Sequence, residues 1–272
     1  MQVLTQIPIK NLQKKAQNLY NILQSLPAPF YIACSGGLDS RFLAFFAQKM
    51  HLDFTLLHVI GDHTDIKENN YLQTWAKNNN LSLKIFPISI FDIKAIAYNH
   101  KDRCYFCKKK TFEIMLAHIN NASLCDGSHT DDKNTYRPGM RALHELNIHS
   151  PLAMANFSKN DIKQLATFIQ LENPHQKAKP CLLTRFPYNT KIEKEKIQQI
   201  LEYETICEEF FLQNLSTTFD FRIRNIDNKL CLHYTTPLEE TLINKLQTTL
   251  IKANLTPIPL TQLSVLSGYF DN

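Results

Sequence analysis

Apolar positions between residues 9 and 25 recur at helical spacing, with Leu12, Ala16, Leu19 and Leu23 on one face, and Pro27 stops the run. Phe30 to Ala33 then predicts a short buried strand, and Leu38 to Met50 a helix. Phe54 to Ile60 reads as a largely apolar second strand, followed by a helix from about Asp65 to Asn79 and a third strand over Leu83 to Ile88. Ala122 to Asp126 is a fourth strand, and Ser150-Pro-Leu a further strand end. Ser158 and Asp161 form a capping pair for a helix reaching Ile169. Strands alternating with helices at these lengths predict an α/β fold with a parallel, doubly wound sheet and ligands at the carboxyl ends of its strands. Beyond it, Ile192 to Leu212 reads as one long helix, Phe219 to Arg224 as a period-two strand, Leu230 to Tyr234 as its partner, Leu238 to Ala253 as a helix and Leu260 to Val265 as a last strand. The expected division is therefore a main α/β domain over 1–186 and a smaller C-terminal α+β domain over 187–272.

The first candidate chemistry lies at the end of the first strand, in Tyr31-Ile-Ala-Cys-Ser-Gly-Gly-Leu-Asp-Ser40. Gly36 and Gly37 let the backbone bend so that N–H groups face an anion, and the helix that follows adds the positive end of its dipole. Ser35 and Ser40 can donate hydroxyls, and Asp39 can hold Mg²⁺. Ser35-Gly-Gly-x-Asp-Ser40 resembles the signature of the PP-loop ATP pyrophosphatases and lacks the GK[ST] ending of the Walker pattern. The resemblance implies cleavage of ATP between its α and β phosphates, with a substrate oxygen capturing AMP.

Composition narrows the partners. The 272 residues suffice for one large domain with a smaller companion, and 44% apolar residues are ordinary for a globular protein. A formal net charge of +5 suits an anionic nucleotide and is too weak to demand nucleic acid. The N-terminal Met1-Gln-Val-Leu-Thr-Gln-Ile-Pro has no charged segment leading into a long apolar run, and no stretch approaches bilayer length, so the expectation is a soluble, cytoplasmic protein.

Seven cysteines, at 34, 104, 107, 125, 181, 207 and 231, form an odd set that argues against a disulfide framework. Cys34, Cys125, Cys207 and Cys231 sit in apolar strand or helix patterns and read as small core residues. Cys104 and Cys107 form a C-x-x-C pair at a helix start, a spacing that holds zinc, a redox dithiol or an iron–sulfur cluster. Zinc needs two more ligands, for which His100, His175 and Cys181 are candidates. Arg103, Lys108, Lys109 and Lys110 flank the pair and either lower the thiol pKa or form a solvated basic face. The loop Gly127-Ser-His-Thr-Asp-Asp132 carries carboxylates suited to a metal or a substrate, or to a solvated turn. Arg137 and Arg141, four apart around a turn, suit carboxylate or phosphate groups.

Arg103-Cys-x-x-Cys-Lys108, Asp126-Gly-Ser, Tyr136-Arg-Pro-Gly-x-Arg-Ala142, Ser150-Pro-Leu and Cys181-Leu-x-Thr-Arg-Phe-Pro-Tyr188 follow one another in the order of the LarE family, which the chain resembles from about residue 31 to 225. That family consists of ATP-dependent sulfur transferases of nickel-pincer nucleotide biosynthesis. The resemblance implies adenylylation of a carboxylate on a pyridinium biscarboxylate mononucleotide, followed by displacement of AMP by sulfur. It assigns ATP and Mg²⁺ to Ser35, Gly36, Gly37, Asp39 and Ser40. Members with three thiols hold a [4Fe-4S] cluster with one iron free of protein ligand, a set matched here by Cys104, Cys107 and Cys181; others sacrifice the sulfur of the position matching Cys181. Glu204 matches a family glutamate near the sulfur site, Arg222 and Arg224 a pair that grips the substrate phosphate, and Arg137, Arg141, Thr184 and Arg185 complete the anion-handling set. The resemblance also implies a homo-oligomer, and the sulfur donor stays open. Two stretches depart from the family: the tail reads Val265-Leu-Ser-Gly-Tyr-Phe-Asp where an Arg-Ser-Gly-Ser ending is expected, and the second strand exits through Ile60-Gly-Asp-His-Thr. A tRNA-thiolating PP-loop enzyme and a zinc-stapled nucleotide-binding module are the rival readings.

Overall fold

The computed structural model describes residues 2–134 and 138–271. In chain order the first elements are α1 (Gln2–Thr5), α2 (Lys10–Gln24), β1 (Phe30–Ala33), α3 (Leu38–Lys49), β2 (Phe54–Gly61), α4 (Ile66–Asn78) and β3 (Leu83–Ile88). There follow α5 (Lys94–Ala97), α6 (Arg103–Leu116), β4 (Leu124–Cys125), α7 (Pro138–Glu145), α8 (Pro151–Met154) and α9 (Lys159–Phe168). The chain ends with α10 (Lys194–Asn214), β5 (Phe221–Ile226), β6 (Lys229–Tyr234), α11 (Glu240–Lys252) and β7 (Leu260–Gln262). Among the described residues no helix is long and apolar enough to cross a membrane.

Two compact units divide the chain, one comprising Met1–Ile90 with Asp102–Lys179, the other Phe91–Lys101 with Pro180–Asn272. The first unit is built on a parallel sheet in the order β3-β2-β1-β4. Successive strands move outward from β1 to β3, and the chain then returns to the other side of β1. This order puts a topological switch point between β1 and β4, where the loops leaving two neighbouring strands diverge and open a crevice. One face of the sheet buries α2, α3, α4 and α9 in a core that includes Leu19, Phe42, Phe46, Trp75, Phe157 and Leu165. The other packs Phe112 and Met115 of α6 and Leu143 of α7 on Leu57 and Val59. Each such large side chain withdrawn from water contributes roughly 1.5–3 kcal/mol.

The capping pair at α9 forms as the sequence predicts: Ser158 accepts from the Asp161 N–H, while the Asp161 carboxylate accepts from the Ser158 N–H at 2.8 Å. Ser150-Pro-Leu differs from its expectation. His149 makes an isolated parallel bridge to Cys125, and Pro151, with no N–H to offer a strand, opens the short helix α8 at its first turn.

In the second unit β5 and β6 form a hairpin, and β7 lies parallel to β6. Asp227 and Asn228 turn the hairpin with φ of 49° and 63°, the left-handed pair that matches strand twist and that these two residue types tolerate. The strand containing the two arginines starts at Phe221, two residues later than the alternation suggests. Phe219 is instead drawn into an aromatic cluster with Phe211, Phe221 and Tyr234.

Candidate active site

The phosphate loop leaves β1 at the switch point. Gly36 has φ of 86°, a conformation that side chains rarely adopt, and it lets the chain reverse before α3 begins at Leu38. Ser40 ties the loop together: its hydroxyl donates to the Gly37 carbonyl at 3.2 Å and accepts from the Ser35 N–H at 3.2 Å, with Ser35 Oγ 3.4 Å away. Beneath it, His58 Nδ1 meets the Cys34 carbonyl at 2.8 Å. A carbonyl can only accept, so that nitrogen carries the proton.

Arg41, which the sequence reading passed over, anchors the loop from below. Its side chain is fully buried, donating from Nε to the Gly36 carbonyl at 3.1 Å, from Nη1 to the Glu172 carbonyl at 2.8 Å and from Nη2 to Gln176 Oε1 at 2.5 Å. The guanidinium also lies over the rings of Tyr71 and Trp75, 5.1 and 5.5 Å from their centroids. Desolvation lowers its pKa, an effect partly offset by Tyr71. A lone arginine inside Leu38-Asp-Ser-Arg-Phe-Leu-Ala-Phe-Phe46, on a helix buried nearly all round, was the available signal.

Asp39 opens into the crevice between the β1 and β4 loops. Lys159 Nζ donates to its Oδ1 at 2.6 Å, and His129 Nε2 lies 3.8 Å from Oδ2. Lys159 thus places one positive charge on the carboxylate that the sequence marks as a candidate metal ligand. The β4 loop reaches the same spot by close approach: a Cβ on Gly127 would stand 2.8 Å from the Ser40 nitrogen and 3.1 Å from the Asp39 carbonyl carbon. Only a residue without a side chain fits there. Asp126 accepts from Ser150 at 2.6 Å and from Ser128, and Lys108 Nζ is 4.0 Å away.

The thiols separate into two sets. Cys34, Cys125, Cys207 and Cys231 are buried, and burial raises the pKa of Cys34, of Cys125 and, to about 12, of Cys207. Cys104 and Cys181 are exposed and Cys107 half-buried, so the three thiols expected to do chemistry are those that solvent or substrate can reach. Cys104 and Cys107 lie in the first turns of α6, as expected. Cys107 Sγ is 3.5 Å from Nε2 of His63, a neighbour that nothing in the sequence signals. Among the described residues no group of three or more His, Cys, Asp or Glu side chains is arranged to hold a metal ion.

Arg137 lies outside the described residues. Arg141 is on α7, exposed, with its guanidinium 3.7 Å from the Tyr105 ring centroid and Nε 3.3 Å from Glu145. In the second unit, buried Arg185 forks onto Glu204 at 2.7 and 3.1 Å, and Glu204 also accepts from the Ile223 N–H at 3.2 Å. Thr184 donates to the Cys181 carbonyl at 2.7 Å, closing the turn that carries the cysteine. Arg222 is half-buried, and its Nη1 meets the Phe221 carbonyl at 2.6 Å. Arg224 is buried: it donates to the Leu266 carbonyl and to His233 Nδ1 at 2.6 Å, and Tyr269 lies 4.6 Å from its guanidinium carbon. Burial, then Arg185 and Arg222, lower the Arg224 pKa to about 10.

His233 accepts from a cation, so it must be neutral, and burial together with Arg224 lowers its pKa to about 4. A histidine depressed in the fold binds its proton more readily when unfolded. Stability should therefore fall as pH drops from about 6.5 toward about 4, by at most on the order of 3 kcal/mol. Denaturant midpoints at pH 7 and pH 4.5 check this; His233→Asn should flatten the difference.

No family model matches the chain. An uncharacterized protein of Methanocaldococcus jannaschii is 35% identical over 184 residues, covering 64% of this chain and 67% of its own length. The pyridinium-3,5-bisthiocarboxylic acid mononucleotide synthase of Lactiplantibacillus plantarum, a LarE protein, is 27% identical over 182 residues, 64% of each chain. This chain belongs to the LarE-like family. The solved NMN synthetase from Francisella tularensis matches at a TM-score of 0.51 and 14% identity, covering 89% of the LarE-like chain and 94% of its own, and shows that the two share the PP-loop fold.

Proposed function

We propose that this chain is an ATP-dependent sulfur transferase that adenylylates a carboxylate of a pyridinium-3,5-biscarboxylic acid mononucleotide or a close analogue and exchanges AMP for sulfur. The observation that carries this reading is the sorting of thiols: Cys104, Cys107 and Cys181 stay accessible while the other four are withdrawn into the core. The name of the Lactiplantibacillus plantarum relative supports the substrate class.

In the first step a substrate carboxylate oxygen attacks the α-phosphorus of ATP, and pyrophosphate leaves with the electron pair of the broken P–O bond. Ser35, Gly36, Gly37 and Ser40 would receive the phosphates, and Asp39, which pairs with Lys159 at 2.6 Å, would hold Mg²⁺ to neutralise their charge. In the second step sulfide attacks the acyl carbon, a C–S bond forms, the C–O bond to AMP breaks and AMP departs. By the family resemblance Arg137, Arg141, Arg185, Arg222 and Arg224, with Thr184, would handle the anionic substrate, and Glu204 accepts from Arg185 at 2.7 and 3.1 Å. By the family resemblance Cys104, Cys107 and Cys181 would be the ligands of a [4Fe-4S] cluster, which would supply the sulfide.

Anaerobically purified protein given ATP, Mg²⁺, sulfide and the mononucleotide should release AMP and pyrophosphate only when the mononucleotide is present, and mass spectrometry should show oxygen replaced by sulfur in the product. Release triggered by tRNA and not by the mononucleotide would move the reading to a tRNA-thiolating enzyme. One zinc per chain with no AMP formed would leave a stapled nucleotide-binding module.

A further inference from the structure

Arg224 is a buried cation that reaches only neutral acceptors. The residue is 3% exposed, its Nε is buried with no hydrogen-bond partner, and its two Nη atoms meet His233 Nδ1 at 2.6 Å and the Leu266 carbonyl. Arg185 and Arg222 add like charge beside it. A guanidinium withdrawn from water in this way is costly, and an anion with charge-assisted hydrogen bonds would relieve the cost. What lies over it is the stretch that departs from the family pattern. Beyond β7 the Leu263 N–H closes on the Tyr234 carbonyl at 2.8 Å, and the chain passes exposed Val265 before turning back over the arginine. The rings of Tyr269 and Phe270 have their centroids 4.6 and 6.0 Å from the guanidinium carbon, and Tyr269 meets the His233 ring edge-on at 4.6 Å. Gly268, with φ of 71°, allows the turn, which the Asp271 N–H closes on the Gly268 carbonyl at 2.9 Å. The Tyr188 hydroxyl then latches Asp271 Oδ1 at 2.6 Å.

We propose that residues 266–271 form a strap over an anion site on Arg224, and that a phosphate monoester opens it by taking the place of the Leu266 carbonyl on the guanidinium. The inference deepens the reading above, in which Arg222 and Arg224 receive the phosphate of a mononucleotide, and it rests on that reading. Charge drives the exchange. The carbonyl gives one Nη a partial charge, whereas a phosphate brings full charges and several acceptor oxygens, enough to engage the guanidinium as a fork. Arg222, two residues back along β5 and so on the same strand face, supplies a second cation. A nucleoside without its phosphate has nothing to exchange for the carbonyl, so the strap selects for the monoester. A site that is open for a fraction of the time binds with an apparent affinity reduced by that fraction. Loosening the strap therefore strengthens binding.

The experiment measures binding of the pyridinium-3,5-biscarboxylic acid mononucleotide, and of its dephosphorylated nucleoside, to the full chain by calorimetry, in wild type, Tyr269→Ala and Asp271→Ala. Amide exchange over residues 266–271 is followed by mass spectrometry with each ligand. The two substitutions remove a ring from the guanidinium and the acceptor of the latch, and neither touches a group assigned to ATP or substrate. Each should tighten mononucleotide binding by about threefold to tenfold and leave nucleoside binding as in wild type. In wild type the mononucleotide should speed exchange over 266–271, and the nucleoside should not. Variants that bind the mononucleotide no more tightly than wild type overturn the inference. Exchange that slows when the mononucleotide binds makes the segment a clasp on the ligand and overturns it too, as does a nucleoside that opens the segment equally well. Should one variant fail to fold, the other and the wild-type exchange decide. If the mononucleotide binds neither wild type nor the variants, the substrate reading itself fails and the inference falls with it, whereas binding with a motionless segment sinks the strap alone.

Discussion

Asp39→Asn should lower AMP formation on the order of a hundredfold to a thousandfold and leave the ultraviolet–visible spectrum of the reconstituted cluster unchanged. Asparagine keeps the size of the side chain and its place in the first turn of α3, so the fold has no reason to change. What disappears is the negative charge that pairs with Lys159 at 2.6 Å and that a magnesium ion needs beside the phosphates. Rapid-quench assay of AMP with saturating ATP reads the first effect and absorbance the second. Loss of both together would mean that the phosphate loop and the sulfur centre are not separate pieces of machinery.

Arg41→Ala should be the most destabilising single change in the phosphate-loop region, costing about 3–5 kcal/mol. The estimate adds a cavity beneath Tyr71 and Trp75 to the cost of leaving the Gly36 and Glu172 carbonyls without their buried donor. For a chain of this size that is a fall in melting temperature of roughly 10 °C, measurable by calorimetry. Arg41→Lys should recover little, because one ammonium cannot serve carbonyls that three guanidinium nitrogens now reach from different directions. A melting temperature within a degree or two of wild type would show that the loop is held from elsewhere.

Most of the first unit could be read from the chain because its strands are short apolar runs and its helices have clean faces. Phe30–Ala33 and Leu83–Ile88 match their expected bounds residue for residue. The phosphate loop was legible for the same reason: five of its six signature positions, strung along one segment, carry the chemistry. Arg41, Lys159 and His63 were not, since each acquires its meaning from a residue distant in sequence. Arg41 bonds residues more than 130 positions ahead, Lys159 meets an aspartate 120 positions back, and His63 faces a cysteine 44 positions on. Arg224 shows the opposite case, a residue singled out by its strand pattern. Alternation predicts which face of the strand it occupies, and it is silent on the carbonyl of Leu266 and the ring of Tyr269 that lie against it.

The contact between Gly127 and the backbone of Ser40 has a practical meaning for anyone recombining this chain with a relative. With no side chain to act as a cushion, the two segments fit as a matched pair, and a displacement of a few tenths of an ångström in one is passed to the other. A hybrid that imports residues 31–45 alone would set a foreign ridge against a native groove. Exchanging 124–132 in the same step keeps the mating surfaces together, so crossover points belong outside both segments.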